Sequence, residues 1–174
     1  MEIKDIKDEL TNFFNYTYFQ LRLSEEMTRA KRYNLPISLL VIDIDHSTNE
    51  EISVGSLNKI LKRKLTFLAE ISNRINTQLR KIDIPARYSA NSIAIILTMT
   101  DKKGAFVLGK RIHKAINSYQ LSSNKTDIPI NVSIGIVSYP EDGKDEQKLI
   151  KNINYLISQA KKLGGNRIIS IKEK

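Results

Sequence analysis

Apolar residues in this chain alternate between two rhythms, and the rhythm changes mark its elements. Tyr16, Phe19, Leu23, Met27 and Ala30 fall at helical spacing, which predicts a helix over residues 16–33 that Pro36 ends. Ile37-Ser38-Leu39-Leu40-Val41-Ile42-Asp43-Ile44-Asp45 is too apolar and too short for a surface helix and reads as a buried strand with an acidic end. Residues 46–56 are polar, contain Gly55 and read as a loop. Leu57, Leu61, Leu65, Leu68, Ile71, Ile75 and Leu79 then form one helical stripe. Two strand-like runs between 83 and 98 flank a polar tip and predict a hairpin. Asp101 is placed to cap a helix over 103–119, with Ala105, Leu108, Ile112, Ala115 and Tyr119 inward. Pro129 to Tyr139 reads as a strand, Pro140-Glu141-Asp142-Gly143 as a turn, and 145–163 as a helix with Leu149, Ile153, Leu156, Ile157 and Ala160 inside. Gly164-Gly165 stops that helix, and Asn166 to Ile171 forms a last strand.

The core order is therefore β-α-β-β-α-β with a further helix and strand. That is the ferredoxin-like arrangement, an α+β fold with a mostly antiparallel sheet flanked by helices. No repeat, linker or low-complexity segment divides the chain, so one domain over residues 1–174 is expected. Residues 1–15 read as a short helix and turn, either a start or the stub of an N-terminal signalling helix.

Composition narrows the function classes. With 174 residues and 41% apolar content the chain can bury a real core. It has no cysteine, which excludes disulfides, thiolate metal sites and Cys nucleophiles and fits a reducing cytoplasm. No run approaches a membrane span, and the charged start Met1-Glu2-Ile3-Lys4-Asp5 is not a signal peptide. The net charge of +9 favours anionic partners. The lysines are dispersed, clustering only at Lys62-Arg63-Lys64 and Lys161-Lys162 on predicted helices, so most of the charge reads as solvated faces. No helix-turn-helix or aromatic-basic RNA-binding pattern accompanies it, and no nucleic-acid partner is expected. His46 and His113 are isolated and read as structural or exposed.

The chemistry lies around the hairpin, Arg80-Lys81-Ile82-Asp83 followed by strand, tip Ser89-Ala90-Asn91-Ser92, and strand again. Several segments, in order, resemble the GGDEF family of diguanylate cyclase domains. Asp8-Glu9-Leu10-Thr11-Asn12-Phe13 is similar to the family's opening D-x-L-T-G-L, without the glycine or the arginines that follow. Residues 29–46, from Arg29-Ala30-Lys31 through Ile42-Asp43-Ile44-Asp45-His46, resemble its first core helix end and strand. Asn131-Val132-Ser133-Ile134-Gly135-Ile136 is similar to the later strand. Tyr155 through Asn166 resembles the closing Y-x-A-K-x-x-G-R-N, with Lys161 in place.

The resemblance implies a catalytic cleft whose residues are largely replaced here. The five signature positions are Ser89, Ala90, Asn91, Ser92 and Ile93. In the family two glycines admit the GTP phosphates, and an acidic pair follows whose second member helps hold the metal. Here Ser89 and Ala90 add side chains, and Ser92 is neutral where a carboxylate is needed. Thr48 falls at the family's lysine and Glu51 near its guanine-holding asparagine, about five extra residues separate that loop from the hairpin, and Gly165 stands where the closing phosphate-binding arginine belongs. Asp43 is left as a strand-end carboxylate, read as hydrogen-bonded to backbone. Lys161 is read as a relic of phosphate binding or a partner of its helix dipole.

The resemblance also implies an inhibitory site that survives. R-x-x-D stands five residues before the signature and binds cyclic di-GMP in active members; Arg80 and Asp83 match, with residues 84–88 as the spacer, and counting along the following helix gives Arg111 as the second arginine. Arg87 and Lys81 read as surface charges. Tyr88 and Tyr139 read as core or sheet surface. R-x-x-D alone also describes a solvated arginine beside a capping aspartate. The expectation is an inactive GGDEF-like domain, not an enzyme, that receives cyclic di-GMP through Arg80, Asp83 and Arg111 without a metal. The alternative is a non-binding scaffold or dimerisation module. Expected partners are the nucleotide, a second copy, bridged or not by ligand, and a protein effector. The expected location is the cytoplasm, as a separate protein or as the cytoplasmic part of a membrane-associated one.

Overall fold

The computed structural model describes residues 6–45, 57–118 and 131–171, with backbone course only for 57–65. The elements are α1 (Tyr16–Tyr33), β1 (Ile37–Asp45), α2 (Leu57–Asn76), β2 (Ile84–Arg87), β3 (Ser92–Thr98), α3 (Lys102–Asn117), β4 (Asn131–Tyr139), α4 (Glu146–Lys162) and β5 (Ile168–Ser170). The sheet order is β2-β3-β1-β4-β5, antiparallel except for the β4–β5 pair. This is the α+β arrangement that the alternating rhythms predict.

The sheet is covered on both faces because β1 is apolar on both. Leu40 and Ile42 pack with Leu68, Ile71 and Ile75 of α2 and with Leu108 and Ile112 of α3. Leu39 and Val41 point the other way, into a cluster with Phe19, Leu23 and Met27 of α1 and Leu149 and Ile153 of α4. Three helices start on side-chain caps: Asn15 accepts from the Tyr18 N–H, Asp101 from Gly104 and Asp145 from Lys148. Gly164 and Gly165 follow α4 with φ of 95° and 69°, a left-handed exit that stops the helix.

The structure departs from the sequence reading at the end of α3 and adds detail at the N-terminal segment. Ile116, not Ala115, is buried at the end of α3, continuing the four-residue row of Leu108 and Ile112, while Ala115 is half-buried. Of the short helix and turn expected over residues 1–15, Ile6 has 3₁₀ geometry at the edge of the described residues and residues 9–11 form the turn. Lys7 bridges to Phe14, the Asp8 carboxylate accepts from the Thr11 N–H and hydroxyl, and Asn12 adopts φ 57°. An aspartate that holds its own turn and a left-handed asparagine both compete with helix formation. Asn12 takes that conformation at the position where the resembled opening has glycine. The backbone of Phe14 then pairs with β2, donating to the Pro85 carbonyl at 3.1 Å and accepting from the Arg87 N–H at 2.7 Å. The predicted loop 46–56, the positions of Leu57, Leu61 and Leu65, the Lys62-Arg63-Lys64 cluster, Tyr119 and Pro129 lie outside the described residues or side chains.

Phe19 is fully buried and meets the Tyr88 ring edge-on at 5.6 Å. Phe19→Ala is expected to cost about 3–5 kcal/mol, read as a lowered urea midpoint with an unchanged slope.

Candidate functional site

Two clusters of polar residues stand out, at opposite ends of β2. The first gathers at the carboxyl end of β1. Register places Ser92 directly across from Asp43 on β3 and Ser133 across from Asp43 on β4. The hairpin tip lies over this end, where the Ile44 N–H donates to the Asn91 carbonyl at 3.0 Å. Lys161, in the last turn of α4, places its Nζ 2.6 Å from Asp43 Oδ1. The Asp43 side chain is 10% exposed and that of Lys161 49%. The Asp43 carboxylate thus has an ammonium beside it, and Lys161 reaches beyond its own helix terminus.

Asp45 closes the same end from the other side. Its carboxylate accepts from the Ser133 hydroxyl at 2.8 Å and from the Asn166 N–H at 2.7 Å. Gly165 packs so tightly beneath it that an added Cβ would lie 2.8 Å from Asp45 Oδ2. Arg167 braces the exit of α4 by donating to the Gly165 and Leu163 carbonyls.

The hairpin tip is held by Arg87, which the sequence reading took for a surface charge. Its Nε donates to the Ser89 carbonyl at 2.5 Å and its Nη2 to the Ala90 carbonyl at 2.6 Å, while Nη1 lies 3.6 Å from Asp8. Burial pushes its pKa down, and Asp8 opposes that. The Ser89 and Ser92 hydroxyls bond one another at 2.5 Å. Ser89 and Ala90 are exposed, Asn91 half-buried, Ser92 buried and Ile93 part of the core. An arginine two residues before a predicted tip carries no sequence signal that separates it from a solvated one.

The second cluster is the turn that enters β2. The Arg80 N–H donates to Asp83 Oδ2 at 2.8 Å and the Asp83 N–H returns to the Arg80 carbonyl at 3.1 Å. Asp83 is buried, Arg80 and Lys81 are exposed. Arg111 reaches across from α3 and donates to the Gln78 carbonyl at 2.6 Å. Burial raises the pKa of Asp83, opposed by the Arg80 N–H and by the charges of Arg80 and Arg111. The three residues picked out in sequence therefore stand together. Asp83 also performs the capping role that the plainer reading of R-x-x-D assigns. A cleft of about 450 Å³ opens beside the turn, with Lys7, Asn12, Asn73, Asn76, Arg80 and Asp83 in its lining. His113 is half-buried with the Asn117 amide beside it, and Tyr88 lies just past β2 against Tyr16 and Phe19. No group of three or more His, Cys, Asp or Glu able to hold a metal occurs among the described residues.

The βαββαβ core, the hairpin over the end of β1 and the turn before β2 define a nucleotide-cyclase type of domain. The family described as "Diguanylate cyclase, GGDEF domain" matches residues 6–58 and 64–167, and the chain belongs to that family. The gap between the matched parts falls in α2. The probable diguanylate cyclase DgcC of Escherichia coli is 22% identical over 96% of this chain, which spans 43% of DgcC. The chain thus spans less than half the length of such curated relatives. The GGDEF domain of DgcB from Caulobacter crescentus, solved in complex with c-di-GMP, superposes with a TM-score of 0.81 at 20% identity, covering 98% of each chain. The diguanylate cyclase SiaD of Pseudomonas aeruginosa, solved in complex with its activator SiaC, gives 0.81 at 19% identity over 95% of this chain and 62% of SiaD. The fold is accordingly of GGDEF type. Among the described residues no helix is long and apolar enough to cross a membrane.

Gly165 combines a left-handed φ with a carboxylate where a Cβ would go. Gly165→Ala is expected to lose roughly 1–3 kcal/mol in chemical denaturation; unchanged stability would mean that Asp45 and the turn shift aside together.

Proposed function

We propose that this domain is a receptor for cyclic di-GMP, bound through Arg80, Asp83 and Arg111, and that it does not synthesise the nucleotide. The observation that carries the reading is the convergence of these three residues on one turn beside an open polar cleft. The exposed Arg80 is free to present its fork to guanine O6 and N7 or to a phosphate. Asp83 offers a carboxylate to the guanine N1–H and N2–H edge, with two guanidinium charges near it. Arg111 is already oriented by the Gln78 carbonyl, so less side-chain freedom is lost on binding.

The loss of synthesis is supported by the other end of β2. The tip carries neutral Ser92 across from Asp43, side chains replace the two signature glycines, and Gly165 brings no guanidinium to the cleft. Output through a second copy or a protein effector fits a family in which SiaD is seen with an activator. On this reading no metal takes part, and the domain comprises the whole of residues 1–174.

Calorimetric titration with cyclic di-GMP is expected to give saturable binding for the wild type, none with GTP, and affinity reduced on the order of 10–100-fold in Arg80→Ala. No heat with cyclic di-GMP would leave Arg80 and Asp83 as a capped turn and the domain as a protein-interaction module.

Binding also carries a pH signature. The ligand contact needs Asp83 ionised, and burial raises its pKa above the ordinary 3.8. Affinity is therefore full well above that raised pKa and falls as pH drops through it, starting at a higher pH than an ordinary aspartate would give. Asp83→Asn is expected to bind more weakly and to lose this dependence, which titrations across the acidic range would read.

A further inference from the structure

We propose that the groove between the end of α1 and the turn before β2 is a docking surface for an acidic peptide segment of a partner protein, anchored by one large apolar side chain. The argument rests on the groove's shape and charge and stands whether or not the Arg80 turn binds a nucleotide.

The groove has a volume of about 360 Å³, the size of a small ligand cleft. Ala30 of α1, Ile37 of β1 and Ile84 of β2 line it and are buried. Ile82 and Met99 line it too, yet they are 48% and 61% exposed. Apolar side chains thus surround a concavity, and an occupant that covers them removes apolar surface from water. A concave apolar site takes one projecting side chain, which a protein segment offers and a flat lipid surface does not. Met99 adds a second observation. It holds φ 49°, a left-handed conformation that Cβ sterics disfavour for a long side chain and that asparagine or glycine adopts more readily. Such positions cluster at ligand clamps, and the unbranched thioether adapts its shape to an occupant.

Charge selects the kind of segment. The lining holds three cations, Arg22, Arg29 and Lys81, and two carboxylates, Glu26 and Asp83. Both carboxylates are buried and engaged: Glu26 accepts from Arg22 and Arg29, and Asp83 from the Arg80 N–H. Arg29 and Lys81 are exposed, and Lys31 and Arg32 continue the basic end of α1. Glu25, an exposed carboxylate of α1, pairs with Arg22 and is not part of the lining. The groove therefore presents positive charge to a partner, and carboxylates flanking the apolar anchor are its complement. Lys81 and Asp83 also line the polar cleft beside Arg80, so the two clefts share this turn as a wall.

The test is a selection of random dodecapeptides displayed against the whole chain without nucleotide, with the enriched peptides then titrated by fluorescence anisotropy. Enrichment of sequences with a large apolar residue flanked by Asp or Glu is expected. Met99→Asn, which suits the left-handed backbone, and Ile82→Ser are each expected to weaken binding about tenfold. Lys81→Glu is expected to weaken it further and to flatten its salt dependence. All three positions are exposed, and circular dichroism checks that the variants fold. The proposal is overturned if no sequence is enriched, if the enriched peptides lack carboxylates, or if they bind all three variants as tightly as wild type. Co-sedimentation of wild type with phosphatidylglycerol vesicles, lost in the same variants, would also overturn it by making the face a membrane contact.

Discussion

The structure depends on one strand being apolar on both faces. β1 lies between β3 and β4, and its alternate residues serve two separate cores, one under α2 and α3 and one under α1 and α4. Each fully buried Leu, Val or Ile of this strand contributes about 1.5–3 kcal/mol, and a one-residue slip would exchange the two sets. Register is therefore strongly constrained. Because it is, the strand end arrives opposite Ser92 and Ser133 whatever side chains stand there, and the cleft geometry outlasts changes in its chemistry.

Most of the fold was legible because its elements are periodic. α2, α3 and α4 each repeat apolar residues at helical spacing, and Asp101 marks the start of α3. What escaped was held by contacts that no short window contains. Asp45 and Asn166 meet across 121 positions, and Lys161 and Asp43 are nearly as remote in sequence. Arg87 reads like any surface arginine until the tip carbonyls are seen to converge on it. The detail of segment 6–15 was not legible because Asp8 and Asn12 act through backbone geometry, which apolar spacing does not report. The positions of Arg80, Asp83 and Arg111 were legible because family spacing carried them; spacing alone did not reveal that Asp83 spends one carboxylate oxygen on its own turn.

Both polar clusters hang on the same short strand. β2 begins just after Asp83 and ends at Arg87, so the turn and the hairpin tip are two ends of one four-residue element. Substitution at the tip changes side chains over a braced backbone and leaves the entry turn in register with α3. One end of the element can thus change its chemistry while the other keeps its own, without any change in topology.

The pairing of Phe14 with β2 bears on how the protein behaves in a crowded solution. β2 is the outermost strand on its side, and an open strand edge is a template for other chains. Phe14 occupies two of its backbone groups, and the Asp8–Arg87 contact lies over the same margin. The short N-terminal hairpin is in this sense a lid against sheet-to-sheet growth. Detaching it would favour self-association through β2 before it disturbed either core.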